Sequence, residues 1–391
     1  MFLSFMSSMN LPAIQGISLA ANLRHETLII PSTSQPNFGS YFIIDIKDKN
    51  IVLNGINLQF ITSAISGTYT GTAVFNPCLN WFTRIEIVMN GQVIDTVYPS
   101  EQFLRNQLLM DDEDRVSTNI AMGRYDSTAQ RTIMSSTTTT NTFFMPLKTF
   151  IAEAKPNLLT EQHQIQLRVY MDTLANNITS TTGTPIATIL SCAAFCNVTR
   201  LDTTSAMMRY ADMLSSPYHT FIHDTRYATF SVPSGTLTTT IVLTPIVGNI
   251  TALLFTVRAT TVGVGAWNFT QLASWAINDA QSTNIVGGSA LPASYCANIL
   301  NRDWSKSSYN TETSFNSATN NAANYYMWSL SVDPVAAMLD GQALTSRRFI
   351  GAEQLILNFP VATTAASQVD VYAWVESVLE QGVGYVKKLS F

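Results

Sequence analysis

The chain has 391 residues, 21 Lys and Arg against 26 Asp and Glu, a net charge of −5, and charged side chains at only 12% of positions. Soluble chains carry about 25%, whereas the hydrophobic share of 46% is ordinary and excludes general disorder. The remaining surface must be Ser, Thr, Asn and Gln, which does not repel its own copies. Arg347–Arg348 and Lys387–Lys388 are the only adjacent basic pairs, which excludes a protein that coats nucleic acid or reads its sequence.

The length suits two domains of similar size. The longest apolar run, Ile186–Cys196, falls short of the roughly 20 residues of a membrane helix. Four cysteines are too few for a disulfide framework, and Cys192 and Cys196 in that run are expected as buried free thiols. The apolar start (Met1, Phe2, Leu3, Phe5, Met6) has no basic residue before Arg24. It therefore lacks the opening of a secretory signal, and synthesis in a reducing cytoplasm is expected.

In chain order, Met1–Asn22 holds no charged side chain, and Pro12 and Gly16 interrupt any long helix, so it reads as an arm. Strands begin near Glu26–Ile30 and continue at Tyr41–Ile46 and Ile51–Ile61, where Ile56, Leu58 and Phe60 share a face. Gly71 lies in a polar stretch read as a loop. Phe82–Val97 reads as a hairpin: Ile85, Ile87 and Met89 alternate with Arg84 and Glu86, and Asn90-Gly91 supplies a type I′ turn before Val93 and Ile94. Helical spacing covers Ser100–Met110. The acidic run Asp111–Asp114 reads as a solvated loop after it, and Ser135–Thr142 as an exposed loop. Phe143–Leu147 and His163–Met171 follow as strands, the latter with Ile165, Leu167, Val169 and Met171 on one face. A helix over Thr204–Leu214 marks the boundary, near Leu201–Ser216.

The second half repeats the pattern. Ile250–Arg258 presents Leu253, Phe255 and Val257 on one face. A turn at Gly263 and Gly265 leads to a predicted helix, Phe269–Asn278, and Ser307–Ala323 reads as a loop. The strands Tyr325–Val332 and Gln354–Phe359 follow. The last strand carries Val369, Val371, Ala373 and Val375, backed by Tyr372 and Trp374. Aligning the halves sets Thr83–Met89 against Ile250–Arg258, helix against helix, and the remaining strands in order. The expected fold is all-β: an arm over 1–25 and two tandem antiparallel sandwiches, 26–205 and 206–391, with short helices in the connections.

Chemistry-bearing constellations are missing. His219 and His223 would share a face of a helix, but Pro217 and β-rich flanks argue for two solvent-facing histidines rather than a zinc site. Gly263-Val-Gly265 has Asn268 where a third glycine would be needed. Four glycosylation sequons, at Asn177, Asn197, Asn249 and Asn268, are expected from composition. Trp267, Trp304 and Trp328 are read as core or interface packing rather than a sugar platform. No catalytic residue, cofactor or metal site is expected, and no enzymatic activity.

The two sandwich halves, the strand–turn–helix units and the low charge resemble the double jelly-roll major capsid proteins. These belong to tailless icosahedral DNA viruses of the tectivirus–adenovirus lineage, many with an internal membrane. Arg84-Ile-Glu-Ile-Val-Met-Asn-Gly-Gln-Val-Ile-Asp95 is similar to a hairpin of that lineage. The resemblance implies eight-stranded jelly rolls and homotrimers that tile a virion shell as pseudo-hexagonal capsomers. Its implied partners are neighbouring capsomers, minor capsid or penton proteins and an internal lipid membrane. Asp111–Asn141 and Asp279–Asn324 would form outward towers. Phe2, Phe5, Met6 and Ile14 of the arm would make assembly or membrane contacts, and Lys387 and Lys388 would meet lipid phosphates. The competing reading is a secreted carbohydrate-active protein, a glycan amidase or lectin on two jelly rolls, which needs a carboxylate pair in a cleft.

Overall fold

The structure is a computed structural model, and it describes residues 23–123, 140–149, 151, 158–159, 164–260, 269–286, 290–292, 295, 324–329 and 345–390. The first half contains β1 (Leu23–Pro31), β2 (Tyr41–Ile46), β3 (Ile51–Thr62), β4 (Ser66–Phe75), β5 (Phe82–Met89) and β6 (Gln92–Val97). Helices α1 (Pro99–Leu109) and α2 (Asp112–Ala121) lead to β7 (Asn141–Leu147), β8 (Leu158–Leu159), β9 (Ile165–Met171), β10 (Ile178–Ile186) and β11 (Ile189–Leu201). Helix α3 (Thr203–Ser215) connects to the second half.

There the strands are β12 (Tyr218–Val232), β13 (Thr238–Val242), β14 (Val247–Ala259), β15 (Ser274–Asn278), β16 (Leu291–Pro292) and β17 (Tyr325–Ser329). β18 (Arg347–Ile350), β19 (Gln354–Asn358), β20 (Ser367–Gly382) and β21 (Tyr385–Ser390) complete it.

Both halves weave their strands in the same way. One sheet of the first half runs β1-β11-β3-β7 and the other β2-β9-β5-β6; the second half answers with β12-β20-β14-β17 and β13-β19-β15-β16. With each half's main strands taken in chain order, both give sheets 1-8-3-6 and 2-7-4-5, the strand order of a jelly roll. A short extra strand repeats as well: β8 pairs with β3, and β18 with the equivalent β14. β4 and β10 form a ribbon that, among the described residues, only the first half has, and β21 extends the second.

Period-2 burial builds each sandwich. Along β9 buried residues alternate strictly with half-buried ones, so Ile165, Leu167, Val169 and Met171 enter the core. Across the sandwich they meet the inward face of β3, where Leu58 and Phe60 are buried. Trp81 anchors the middle: its ring lies 4.8 Å from Phe143 and 5.7 Å from Phe60, edge-on, and its indole N–H donates to the Asn76 carbonyl at 2.8 Å. The β5–β6 turn has φ of +48° at Asn90 and +81° at Gly91, the two left-handed residues of a type I′ turn.

Several expectations need correction. Phe269–Asn278 is not a helix: β15 occupies Ser274–Asn278 and pairs with β19. The aligned halves were one strand out of step, because β5 is the fourth main strand of its sandwich and β14 the third. The acidic run is not a loop, since Asp111 caps α2 by accepting a hydrogen bond from the Asp114 amide at 2.9 Å. Carboxylates at that helix start are favoured by the exposed amides and dipole. Gly71 falls in β4. The turn at Gly263 and the loop Ser307–Ala323 lie outside the described residues.

Candidate assembly surfaces

The 1-8-3-6 sheets of the two halves share an architecture but meet different surroundings. In the second half, β14, β17 and β20 are buried on both faces. Leu253, Phe255, Val257, Tyr326, Val371 and Ala373 point into their own sandwich. The alternate residues Ala252, Leu254, Met327, Tyr372 and Trp374 join the core of the first half. Tyr98 and α1 supply part of their cover, the Tyr98 ring standing 6.2 Å from that of Tyr372. The Tyr98 ring stands 4.4 Å from that of Tyr227, and Phe103 lies 6.3 Å from Phe269. The Arg105 guanidinium sits 5.4 Å from the centre of the Trp374 ring.

Because α1 is enclosed between the halves, its polar side chains are buried too: Glu101, Gln102, Arg105 and Asn106 are each at most 3% exposed. Burial on that scale requires partners. Arg105 Nε pairs with Glu101, its Nη2 donates to Thr225 Oγ1 at 3.0 Å, and that hydroxyl donates to Glu101 Oε1 at 2.9 Å. Nearby, Asp95 Oδ1 accepts from the Thr96 amide at 2.9 Å. Burial pushes the Asp95 carboxyl up to about 7; Asp224 and Glu101 add to the rise, while Arg105 and Lys388 oppose it. His223, facing the same seam, is buried rather than solvent-facing as expected, and burial and then the Arg105 charge push it down to about 4. His219 matches its expected exposure, with Nε2 3.3 Å from Glu380 on an open surface.

In the first half the equivalent sheet face is open. Three register rows cross it: Thr27–Asn197–Gly55, Ile29–Phe195–Asn57–Pro146 and Pro31–Ala193–Gln59–Phe144. None carries a charge. Ile29 is 63% exposed and Phe144 38%, with the Phe144 ring 5.7 Å from Phe195. The corresponding buried row of the second half is Tyr227–Tyr372–Leu254–Met327.

The residues singled out from sequence are scattered. Phe2, Phe5, Met6 and Ile14 lie outside the described residues. Lys387 is exposed. Lys388 is not available to lipid phosphates: its ammonium donates to Asp224 Oδ1 at 2.7 Å and to the Ile94 carbonyl at 2.9 Å, inside the seam. Asn90 and Gly91 form the turn, where Asn90 also accepts from the Gln164 amide at 2.9 Å and donates to the Gly384 carbonyl at 3.2 Å. Cys192 and Cys196 are buried free thiols, as is Cys78, and burial pushes Cys196 up to about 12. Trp328 is core, 4% exposed; Trp267 and Trp304 lie outside the described residues. Among the described residues no group of three or more His, Cys, Asp or Glu side chains is placed to hold a metal. No described helix is long and apolar enough to cross a membrane.

The seam cluster was missed in the sequence. Its only signal was the rarity of charge: Asp95, Asp224 and Lys388 each interrupt a strand pattern in a chain that carries few charges.

No family model matches the sequence, and no curated protein does. Solved structures do match. The PBCV-1 virus capsid is similar at a TM-score of 0.71 and 15% identity, covering 97% of this chain and 99% of that one. The Faustovirus major capsid protein follows at 0.68 and 9%, covering 97% and 94%. A chain of the Sputnik virophage gives 0.57 and 10%, covering 97% and 91%. The likeness runs through both halves and agrees with the strand order read from the hydrogen-bond ladders: this chain is a double jelly roll, with the fold of these viral capsid chains.

Proposed function

We propose that this chain is the major capsid protein of an icosahedral virion and works by binding copies of itself. The observation that carries the reading is the asymmetry between equivalent faces. Within one chain the first half covers the outer sheet of the second; the same face of the first half is open, uncharged and apolar at its centre. Repeating the internal contact from the second half of one chain to the first half of the next is a head-to-tail interface, which closes into a ring when the rotation allows. Following the resemblance, we take the ring as three chains with six sandwiches, the homotrimer of a pseudo-hexagonal capsomer. Sheet rows of Thr, Asn and Gln around an apolar centre suit contacts that must adapt to slightly different neighbours.

The chain divides into an arm (1–25), a first jelly roll (26–205) and a second (206–391), although β1 already begins at Leu23 and α3 straddles the second boundary. Phe2, Phe5, Met6 and Ile14, with Lys387, serve assembly or contact an internal membrane, and minor capsid or penton proteins complete the shell. Synthesis takes place in the host cytoplasm and the mature location is the virion. Trp328, being buried, offers no stacking face for a sugar, which favours the capsid reading over a lectin. Negative-stain images of the purified chain test the proposal: hexagonal or triangular capsomers are expected, and a field of single two-lobed particles would contradict it.

A further inference from the structure

Helix α3 has an unusual outer side. Ala206, Arg209 and Met213 face inward and are buried. The opposite side exposes Met207 (66%), Leu214 (62%), Met208 (41%) and Tyr210 (38%), and the other exposed positions are Thr203, Thr204, Ala211 and Ser215. Surface helices carry charged or polar residues on their solvent side. This one presents Met207, Tyr210 and Leu214 at i, i+3 and i+7 and no exposed charge at all. The stripe is therefore built to be covered, by something uncharged. Methionines at two of its positions suit an irregular, adaptable contact.

The chain supplies such a cover next to it. Leu23, where β1 begins, pairs with Leu201, and Asp202 is the residue that caps α3. Leu23, the residue that follows segment 1–22 in the chain, thus stands beside the first turn of this helix. The segment contains no charged side chain, and Ile17 and Leu19 lie near its end. At a rise of about 1.5 Å per residue, the helix is roughly 20 Å long. An extended segment covers that distance with about six residues at ~3.3 Å each, which takes Asn22 back to Ile17. A tethered segment also acts at an effective concentration in the millimolar range, far above that of a free partner.

We propose that the outer stripe of α3 is the seat of the chain's own residues 17–22, with Leu19 against Tyr210 and Ile17 against Leu214. The contact forms within one chain and does not depend on the capsid reading.

Cross-linking tests it in the full-length chain at micromolar concentration. Cys296→Ser removes the one cysteine outside the described residues, and Ile17→Cys is combined with Leu214→Cys. The control pairs Ile17→Cys with Leu237→Cys, an exposed residue beyond the far end of β12. A short bismaleimide should join the first pair within the chain about tenfold or more faster than the control, since the seated segment holds its cysteine close. Equal rates, or a product that joins two chains, would overturn the proposal. Capsomer images of the same variants report separately on assembly. As a second readout, deleting residues 2–22 should raise the fluorescence of a hydrophobic dye several-fold; Met207→Ser with Leu214→Ser in that background should reverse the gain. No rise on deletion would also count against the seat.

Discussion

Lys388 and Asp224 form an ion pair at 2.7 Å that joins the last strand of the chain to the first strand of its second sandwich. The same ammonium reaches the Ile94 carbonyl of the other half at 2.9 Å, so one side chain pins three strands at the seam. Asp224 is nearly enclosed, its side chain 5% exposed, while Lys388 keeps 22%. Without Lys388 the enclosed Asp224 keeps only the partly exposed Arg226, whose Nε lies 3.3 Å away, and a buried charge that loses its better partner is destabilising. Lys388→Met should therefore destabilise the chain by about 1–3 kcal/mol, discounted for the partial exposure of the lysine. Lys387→Met, at an exposed position, should stay within about 0.5 kcal/mol. Urea unfolding of both variants checks this, and equal midpoints would show that the pair adds nothing.

Two buried groups in this seam titrate in opposite senses. Asp95 is raised to about 7, so its contribution is present in acid and is lost as pH rises from about 4 through 7. His223 is lowered to about 4, so its neutral form contributes above the ordinary histidine value and is lost as pH falls from about 6.5 through 4. The two offset one another in the wild type. Asp95→Asn should leave stability rising with pH across that window, and His223→Gln should leave it falling, each by on the order of 1–3 kcal/mol. Melting temperatures of the three proteins at pH 4.5, 5.5 and 7 read the slopes directly; parallel profiles would remove both groups from the account.

Gly91 occupies a left-handed position, φ +81°, with nothing within 4 Å of where a Cβ would stand. The constraint is therefore backbone conformation and not space. Gly91→Asn should be tolerated, because Asn adopts positive φ readily, whereas Gly91→Val should lower stability by about 1–3 kcal/mol. Similar melting points for the two would point to another turn geometry.

On the open face of the first half, Ile29→Asp and Phe144→Asp place charges among uncharged rows without touching either core. Each chain should keep its β circular dichroism spectrum and lose self-association, as charge placed in a desolvated contact does. Variants that associate as the wild type does would move the interface elsewhere.

Local pattern revealed the sandwiches well, because most strands have one face in a core and one toward solvent. Tyr41–Ile46 and the Asn90-Gly91 hairpin were legible to the residue. The misread helix Phe269–Asn278 lies where the halves touch, with Phe269 6.3 Å from Phe103. Phe269, Leu272 and Trp275 are buried at helix-like intervals, yet the segment is held as extended chain: the Ala273 amide donates to the Asn358 carbonyl at 2.8 Å and the Tyr326 hydroxyl accepts from Leu272 N at 2.9 Å. Strands β14 and β20 show little alternation, since both of their faces are covered. His223 feels the charge of Arg105 and Asp224 binds Lys388, in each case across more than a hundred positions of sequence, and no local period encodes that.

The central claim is that the chain assembles through copies of itself, and its mass in solution tests this most directly. Light scattering of the purified protein at micromolar concentration should give three times the 43.0 kDa of the chain, reduced to a single chain by Phe144→Asp. A monodisperse wild-type monomer under the same conditions would contradict the account.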